Sequence, residues 1–456
     1  MGTDGIVAGC RRLPGVKRVK RLSLLLLLCL SAAAAGAANL SDAEQSVVRA
    51  VDAGVPEATR LLEEVVNINS GTMNFAGVRR VGEVFEREFK ALDFDTDWID
   101  GEGFDRAGHL VASRGARGPR ILLIGHLDTV FAADSPFQRF QRVDAHRVKG
   151  PGITDMKGGN VVMLLALSAL REAGLLDALQ LRVVLTGDEE LRGKPHALAN
   201  AALVEAAQWA DIAIGFEDGD GDPATAVISR RGASSWRLEV AGKPAHSSQI
   251  FREDIGDGAV FELARILDEW RRKLRGEANL TFNPGVVVAG TDVRLDPTSG
   301  EGTAFGKSNV IARDALVNGG IRAVSPEQLR RAQQVMQAVA ADNSPHTRAE
   351  LSFAAGYPPM AASEGNRDLL ALYNRISEAL GYGPVRAVDP RRAGAADISF
   401  AAAHVRQAID GLGLMGEGGH TVDEVADMRT LPRQAARAAL LLHRLAAGSS
   451  SSEAGG

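Results

Sequence analysis

Residues 121–130 read ILLIGHLDTV, a run of β-branched residues and leucine bounded by Gly118-Pro119 and Gly125. Its length and composition are those of a buried central strand, which places the chain among α/β folds built on a sheet. His126 and Asp128 stand at the carboxyl end of that strand. Two residues apart on an extended backbone, they point the same way, at the end of an open α/β sheet where ligands bind. A histidine beside a carboxylate can offer one ring nitrogen to a metal and give the proton of the other to the acid. Taken alone, the pair also describes a satisfied structural histidine.

The following segments repeat the pattern. Gly150, Gly152, Gly158 and Gly159 bracket Asp155 just before an apolar helix over residues 160–172. Glycines allow close backbone approach and let the loop present Asp155 at the mouth of a site, although an ordinary turn with Asp as helix start reads similarly. A second apolar strand, residues 181–185, runs into Thr186-Gly187-Asp188-Glu189-Glu190, and a third, 212–216, into Glu217-Asp218-Gly219-Asp220. Like charges beside a low-dielectric core raise each other's pKa unless a cation is present. Solvated loop acids account for one such strand end. A shared cation accounts better for His, Asp and Glu at the ends of successive elements. His420, in GLGLMGEGGHTVDE, adds a histidine among glycines, whereas His109, His146, His196, His346, His404 and His443 read as surface or structural.

At 456 residues, with 45% hydrophobic and 24% charged side chains, the chain is long enough for more than one domain and has an ordinary globular composition. Residues 1–38 have the layout of a signal peptide: six basic residues between Arg11 and Arg21, an apolar run over 22–35 and a small-residue stretch. The run is shorter than the roughly 20 residues of a spanning helix, favouring a cleaved leader over an anchor and predicting a secreted or periplasmic protein without stable membrane insertion. Both cysteines, Cys10 and Cys29, fall in this leader, so a metal site must be built from His, Asp and Glu, which suits zinc, cobalt or manganese. The six basic residues and Asp4 give the leader +5, leaving about −10 for the remainder of a chain whose total is −5. Nucleic acid is thereby excluded as an expected partner. Residues 447–456, ending GSSSSEAGG, read as a disordered tail.

Helical spacing predicts two opening helices over 43–68, with Asp42 and Pro56 as start signals, and another over 78–94; a strand pair covers 95–113 and a loop 132–150. The texture changes near Ser229. Strands over 234–242, 286–290, 308–312, 315–324 and 349–354, with helices over 259–274 and 326–341, form a β-α-β-β-α-β unit. Helical texture resumes over 366–380 and closes with a helix over 433–446. The expected organisation is a catalytic domain from residues 39–228 and 363–446, with a mixed central sheet flanked by helices, interrupted by an α+β ferredoxin-like insert over 229–362.

Together, GHLDTV, GPGITDMKGG, EELRG, the Glu217 strand end and GEGGH resemble the zinc-dependent carboxypeptidase and aminoacylase family that includes glutamate carboxypeptidase, acetylornithine deacetylase and succinyl-diaminopimelate desuccinylase. The resemblance spans nearly the whole chain after the leader and implies a di-zinc exopeptidase-type fold. It implies two zinc ions, with cobalt or manganese as substitutes: one held by His126, Asp155 and Glu217, the other by Asp155, Glu190 and His420. Asp218 stands as an alternative to Glu217. Asp128 is then the orienter of His126 and Glu189 the general base. The insert becomes a lid and homodimer contact, in which GKPAHSS gives His246 as a polariser of the carbonyl oxygen, SNVIA gives Asn309 as a substrate contact and GGIRAV gives Arg322 as a carboxylate clamp. A glutamate at position 217 is more similar to the family's carboxypeptidases and deacylases than to its aminopeptidases. The implied activity is release of a C-terminal, glutamate-like amino acid from a small peptide or N-acyl conjugate. The alternatives are an N-acyl amino acid deacylase and a non-catalytic metal-binding module, against which the presence of Glu189 argues.

Overall fold

The structure, a computed structural model, describes residues 40–453 except 297 and 298. The expected leader, with both cysteines, and the last three residues lie outside the described residues.

The central sheet runs in the spatial order Asp95–Asp100, Gly108–Arg114, Gln180–Thr186, Arg120–His126, Ile212–Gly215, Gln407–Ile409. The first two strands pair antiparallel with their neighbours and the remaining pairs are parallel. Arg120–His126 is buried from Ile121 onward, as expected for a strand covered on both faces. Its side chains alternate between two cores. Ile121 and Leu123 pack with the helices Asp42–Val66, Lys157–Glu172 and Thr430–Glu453, whereas Leu122 and Ile124 pack with Leu203, Ala206 and Ala207 of Ala201–Trp209. In register, His126 lies beside Thr186 and Ile124 beside Gly215, so the carboxyl ends of three parallel strands open on one edge of the sheet.

Outside the insert, three expectations are corrected. The opening segment is one helix, Asp42–Val66, with Pro56 inside it. It starts at a capping box between Ser41 and Glu44, and its buried face (Val47, Val51, Ala58, Leu62, Val65) continues across the proline. Burial of that face outweighs the roughly 3 kcal/mol that an interior proline costs. The segment expected as a loop over 132–150 contains Gln141–Arg142 and Arg147–Lys149, which form a four-stranded sheet with Gly416–Glu417 and Val425–Asp427. Arg147–Lys149 pairs with Val425–Asp427, some 280 residues away in the chain and out of reach of a local pattern. Finally, the closing helix runs on to Glu453, past the expected end at 446. Once its apolar face is packed, each further residue extends an existing helix and avoids the cost of nucleation.

The insert carries four antiparallel strands in the order Thr281–Gly290, Asp314–Arg322, Ala233–Gly242, Thr347–Tyr357, with helices Gly258–Leu274 and Pro326–Ala341. Its separate core is built on Trp236, Leu238, Ile266, Trp270, Val317 and Met336, with the two indoles edge to face at 5.1 Å. Residues 308–312 form no strand, only the bridge between His246 and Val310. Where the chain enters and leaves the insert, Arg230 and Met360 exchange backbone hydrogen bonds of 2.9 and 3.0 Å. Among the described residues no helix is long and apolar enough to cross a membrane.

Candidate metal centre

His126, at the end of its strand, places Nε2 3.0 Å from Asp155 Oδ1 and 3.5 Å from Glu217 Oε1. Its Nδ1 lies 3.0 Å from the backbone oxygen of Asp128 and 3.4 Å from that residue's Oδ1. Orientation of the ring is therefore shared between the carbonyl and the carboxylate of Asp128. The buried Asp128 carboxylate also holds backbone: Oδ1 accepts from the Glu189 N–H at 3.1 Å, and Oδ2 from the Glu190 N–H at 3.1 Å and the Thr72 hydroxyl at 2.6 Å. It fixes the acidic turn that ends the neighbouring strand.

Asp155 sits in a loop built by Glu424. The buried Glu424 carboxylate accepts from the backbone N–H groups of Gly152 (2.9 Å), Thr154 (2.8 Å) and Asp155 (3.3 Å). Glycine is required at several positions here. Gly152 has φ +71°, and a Cβ on Gly159 would lie 1.9 Å from Phe216 O. The opposite Asp155 oxygen, Oδ2, meets His420 Nε2 at 2.9 Å, and that nitrogen lies 3.2 Å from Glu190 Oε2. His420 follows Gly416–Glu417, whose partner Val425–Asp427 pairs with Arg147–Lys149, the strand leading to Asp155. One carboxylate thus faces two imidazoles, one through each oxygen.

Two buried arginines, through three ion pairs, support the remaining acids. Asp410 Oδ1 accepts from the Glu217 N–H at 3.2 Å while its Oδ2 pairs with Arg230 at 2.8 Å. Behind Glu189, Arg192 binds Asp188 at 2.6 Å and pairs with Asp397, and the Tyr357 hydroxyl, on the last strand of the insert, donates to Glu189 O at 2.7 Å.

The electrostatics point to missing positive charge. Burial, then repulsion from Asp155, pushes Glu217 up to about 7, and the same two causes push Asp218 to about 8. Glu189 is raised well above the ordinary value by burial and by Asp397, Glu217 and Glu190, against the opposing pull of His126. Glu190 is raised as well, chiefly by burial. Conversely, the imidazoles hold protons: hydrogen bonds to Asp155 and Glu190 raise His420 to about 11. Burial opposes the His126 imidazolium, but Asp128, Asp155 and Glu217 outweigh it. Asp155 is lowered, since its hydrogen bonds to His126 and His420 outweigh its burial.

A divalent cation fits this donor set. Ligand atoms of His126, Asp155 and Glu190 lie within 4.8 Å of one another, and Glu190 Oε1 is buried with no hydrogen-bond partner among the described residues. An orphaned carboxylate oxygen among imidazoles and further acids has the chemistry of a candidate ligand. Of the alternatives at the third strand end, the Glu217 carboxylate is the one within 3.5 Å of His126.

The structure does not bring His246, Asn309 or Arg322 to this cluster. His246 is exposed and pairs through Nδ1 with Ser248 at 2.8 Å, while Asn309 is exposed on the adjoining turn, where its carbonyl accepts from the Ser247 N–H at 2.9 Å. Arg322 ends the Asp314–Arg322 strand, exposed beside a cavity of about 320 Å³. Its charge, with that of Arg391 and after burial itself, lowers the pKa of Arg231. Sequence reasoning also passed over Glu424, Thr72 and the pairs Arg230–Asp410 and Arg192–Asp397. Glu424 lay four residues from His420 within a motif already singled out. The ion pairs join residues 180 and 205 apart and leave no local signature.

Parallel strand ends that gather two imidazoles, a shared carboxylate and a cluster of further acids define a metallohydrolase, an enzyme of metallopeptidase type. The chain belongs to peptidase family M20/M25/M40, whose family model matches residues 122–444. It is 28% identical over 404 residues to carboxypeptidase G2 of Pseudomonas sp. (strain RS-16), covering 86% of this chain and 90% of that protein. A probable succinyl-diaminopimelate desuccinylase of Staphylococcus aureus (strain MRSA252) is 28% identical over 175 residues, covering 37% of this chain and 40% of that one. In fold, the chain is similar to aminopeptidase PepT from Bacillus cereus (TM-score 0.64, 17% identity, 86% of this chain and 99% of that one). It is also similar to the YXEP protein of Bacillus subtilis, described as a dinuclear metal-binding peptidase (TM-score 0.60, 15% identity, 87% and 99%).

Proposed function

We propose that this enzyme releases a C-terminal amino acid from a small peptide or N-acyl conjugate, with two divalent ions, zinc first among them. The observation that carries this reading is the Asp155 carboxylate, which meets His126 through one oxygen and His420 through the other. His126, Asp155 and Glu217 would hold one ion and Asp155, Glu190 and His420 the second. Bound there, such ions polarise an amide carbonyl and lower the pKa of water toward about 7. Glu189, next to the ligand Glu190, serves as the general base. It takes the proton of the attacking water, the water oxygen bonds to the carbonyl carbon, and the same proton passes to the amine as the C–N bond breaks. Asp128 keeps Glu189 in place through its backbone N–H and keeps the His126 ring turned toward Asp155.

Arg322, with Arg231 and Arg391 close enough for their charges to interact, is suited to a substrate α-carboxylate, and Asn309 to a further polar contact. The test is a panel of dipeptides and N-acyl amino acids, each as free acid and amide, with added zinc, cobalt or manganese. The expected outcome is hydrolysis of free acids, with Arg322→Ala raising KM for these and leaving the amides unaffected. Conversion of N-acyl amino acids alone would make the enzyme a deacylase. Hydrolysis of nothing under any metal would leave a metal-binding module.

His246 reaches no group of its own metal cluster by any described contact, so we assign it to the site of a second copy, in a homodimer formed through the insert. There its ring would donate to the developing oxyanion, a contact strongest in the transition state. Mixing inactive His246→Ala and Glu189→Gln chains should restore activity, because a hybrid dimer assembles one site with both groups intact. Failure to recover activity after proven subunit exchange would rule this out.

A further inference from the structure

The chain enters the insert at Arg230 and leaves it at Met360, and beside each crossing one side chain reaches an acid of the site. Arg230 does so through Asp410, which accepts from the Glu217 N–H. On the way out, Tyr357 ends the strand Thr347–Tyr357, and its hydroxyl donates to Glu189 O at 2.7 Å. A bulge delivers it there. Ala354 stands opposite Ser235, so an unbroken ladder would set Gly356 opposite Ala233, whereas one extra residue sets Tyr357 in that place. Side chains alternate along a strand, so the extra residue carries the phenol to the other face of the sheet. Only glycine fits within the bulge, because a Cβ on Gly356 would lie 2.0 Å from Ala233 O.

The catalytic domain is built to receive the phenol. Arg192 Nη2 donates to the Tyr357 hydroxyl at 3.0 Å, and the buried guanidinium is itself fixed by Asp188 and Asp397. It lies 5.5 Å from the ring centre of Tyr357 and 5.4 Å from that of Phe400, and the two rings pack at 5.0 Å. A hydroxyl that accepts from a guanidinium has its own proton directed onward and is polarised into a stronger donor. At the other end of the same peptide group, the Glu190 N–H donates to Asp128 Oδ2 at 3.1 Å. The peptide joining Glu189 to Glu190 is thus gripped by its oxygen from the insert and by its N–H from the catalytic domain. Since a peptide group is planar, these two contacts fix the plane from whose ends both carboxylate side chains depart.

Resting on the proposed hydrolysis, we propose that Tyr357 is a positioning residue for Glu189, holding the base at the angle that proton transfer needs for as long as the insert is seated against Arg192. The hydroxyl is occupied by main chain on one side and guanidinium on the other, so its effect passes through Glu189 and not through the substrate. A misplacement of about 1 Å can cost about 10²-fold in rate, and here the loss would fall on the chemical step.

Tyr357→Phe keeps a ring against Phe400 and removes the hydroxyl. On the panel substrate turned over fastest, kcat is expected to fall about 10- to 100-fold, with KM and metal content within about twofold of wild type. Added to Glu189→Gln, the same change is expected to cost nothing further, since groups that act as one unit are not additive. Hydrogen exchange gives a readout independent of turnover: the Glu190 amide should exchange faster in Tyr357→Phe, with the amides of Gln180–Thr186 unchanged. Phe400→Leu, which frees the phenol ring and leaves its hydroxyl, serves if Tyr357→Phe does not fold, with the same loss in kcat alone expected. An unchanged kcat, a loss expressed in KM, an equal further loss in the Glu189→Gln background, or an unchanged Glu190 amide would each overturn the positioning role. Faster exchange in a protein whose wild type hydrolyses no panel member would retain the link between the insert and Glu189 and remove the hydrolase reading.

Discussion

Glu189→Gln is expected to lower kcat by about 10² to 10⁴, the usual contribution of a positioned general base, with metal content at the wild-type level. The amide preserves the shape of the side chain and removes only its capacity to accept a proton. Local collapse is an inadequate alternative explanation, because the backbone at this position is fixed from both sides. Its N–H is held by Asp128 at 3.1 Å and its carbonyl by the Tyr357 hydroxyl at 2.7 Å. The sign of the stability change separates the two explanations further. Burial and neighbouring acids raise the folded-state pKa of Glu189, so in the ion-free protein its ionisation opposes folding once the pH passes the ordinary glutamate value. A neutral amide removes that cost, and the ion-free variant should melt no lower than the ion-free parent at neutral pH. Steady-state kinetics, elemental analysis and a thermal melt check the three statements. A variant with most of its turnover would require another base.

The ends of the parallel strands were legible because the pattern that defines a buried strand also fixes where it stops. Ile121 to Ile124 are apolar on both faces, so the first polar side chains, His126 and Asp128, mark the sheet edge where a ligand can approach. The same held for Glu190 and Glu217. What surrounds these residues was not legible, since it comes from contacts that are distant in sequence. Arg230 and Asp410 support Glu217 from 180 residues apart, and either could pass for a surface charge. Pro56 shows the opposite failure. Its local preference was real, but a buried face continuous on both sides of it, which a window of a few residues does not weigh, determined the outcome. His246, Asn309 and Arg322 were readable as motifs, yet their distance from the metal cluster could not be read from them. Only the topology places them on a unit with its own core.

Protein prepared without chelator is expected to carry about two divalent ions per chain, and Asp155→Ala to carry fewer than one and lose turnover. Five ligand side chains with one shared carboxylate exceed the four of a single tetrahedral zinc. Asp155 is the member whose removal affects both halves: its Oδ1 lies 3.0 Å from His126 and its Oδ2 2.9 Å from His420, whereas Glu217 and Glu190 each approach one imidazole. Outer groups that merely orient a ligand cost about 10- to 100-fold in metal affinity when lost, so loss of a shared ligand should exceed that range. The protonation pattern adds a pH dependence of defined sign. In the ion-free protein His420 holds its proton up to about 11, and burial with repulsion keeps Glu217 protonated up to about 7. Both must be deprotonated to act as ligands, so uptake of metal releases protons and apparent affinity rises with pH across the neutral range. Titration of chelator-treated protein with zinc at pH 6 and pH 8 in weak buffer, read by calorimetry and proton release, would show tighter binding at the higher pH. An Asp155→Ala chain that still bound two ions, or binding that weakened from pH 6 to pH 8, would dismantle the proposed centre.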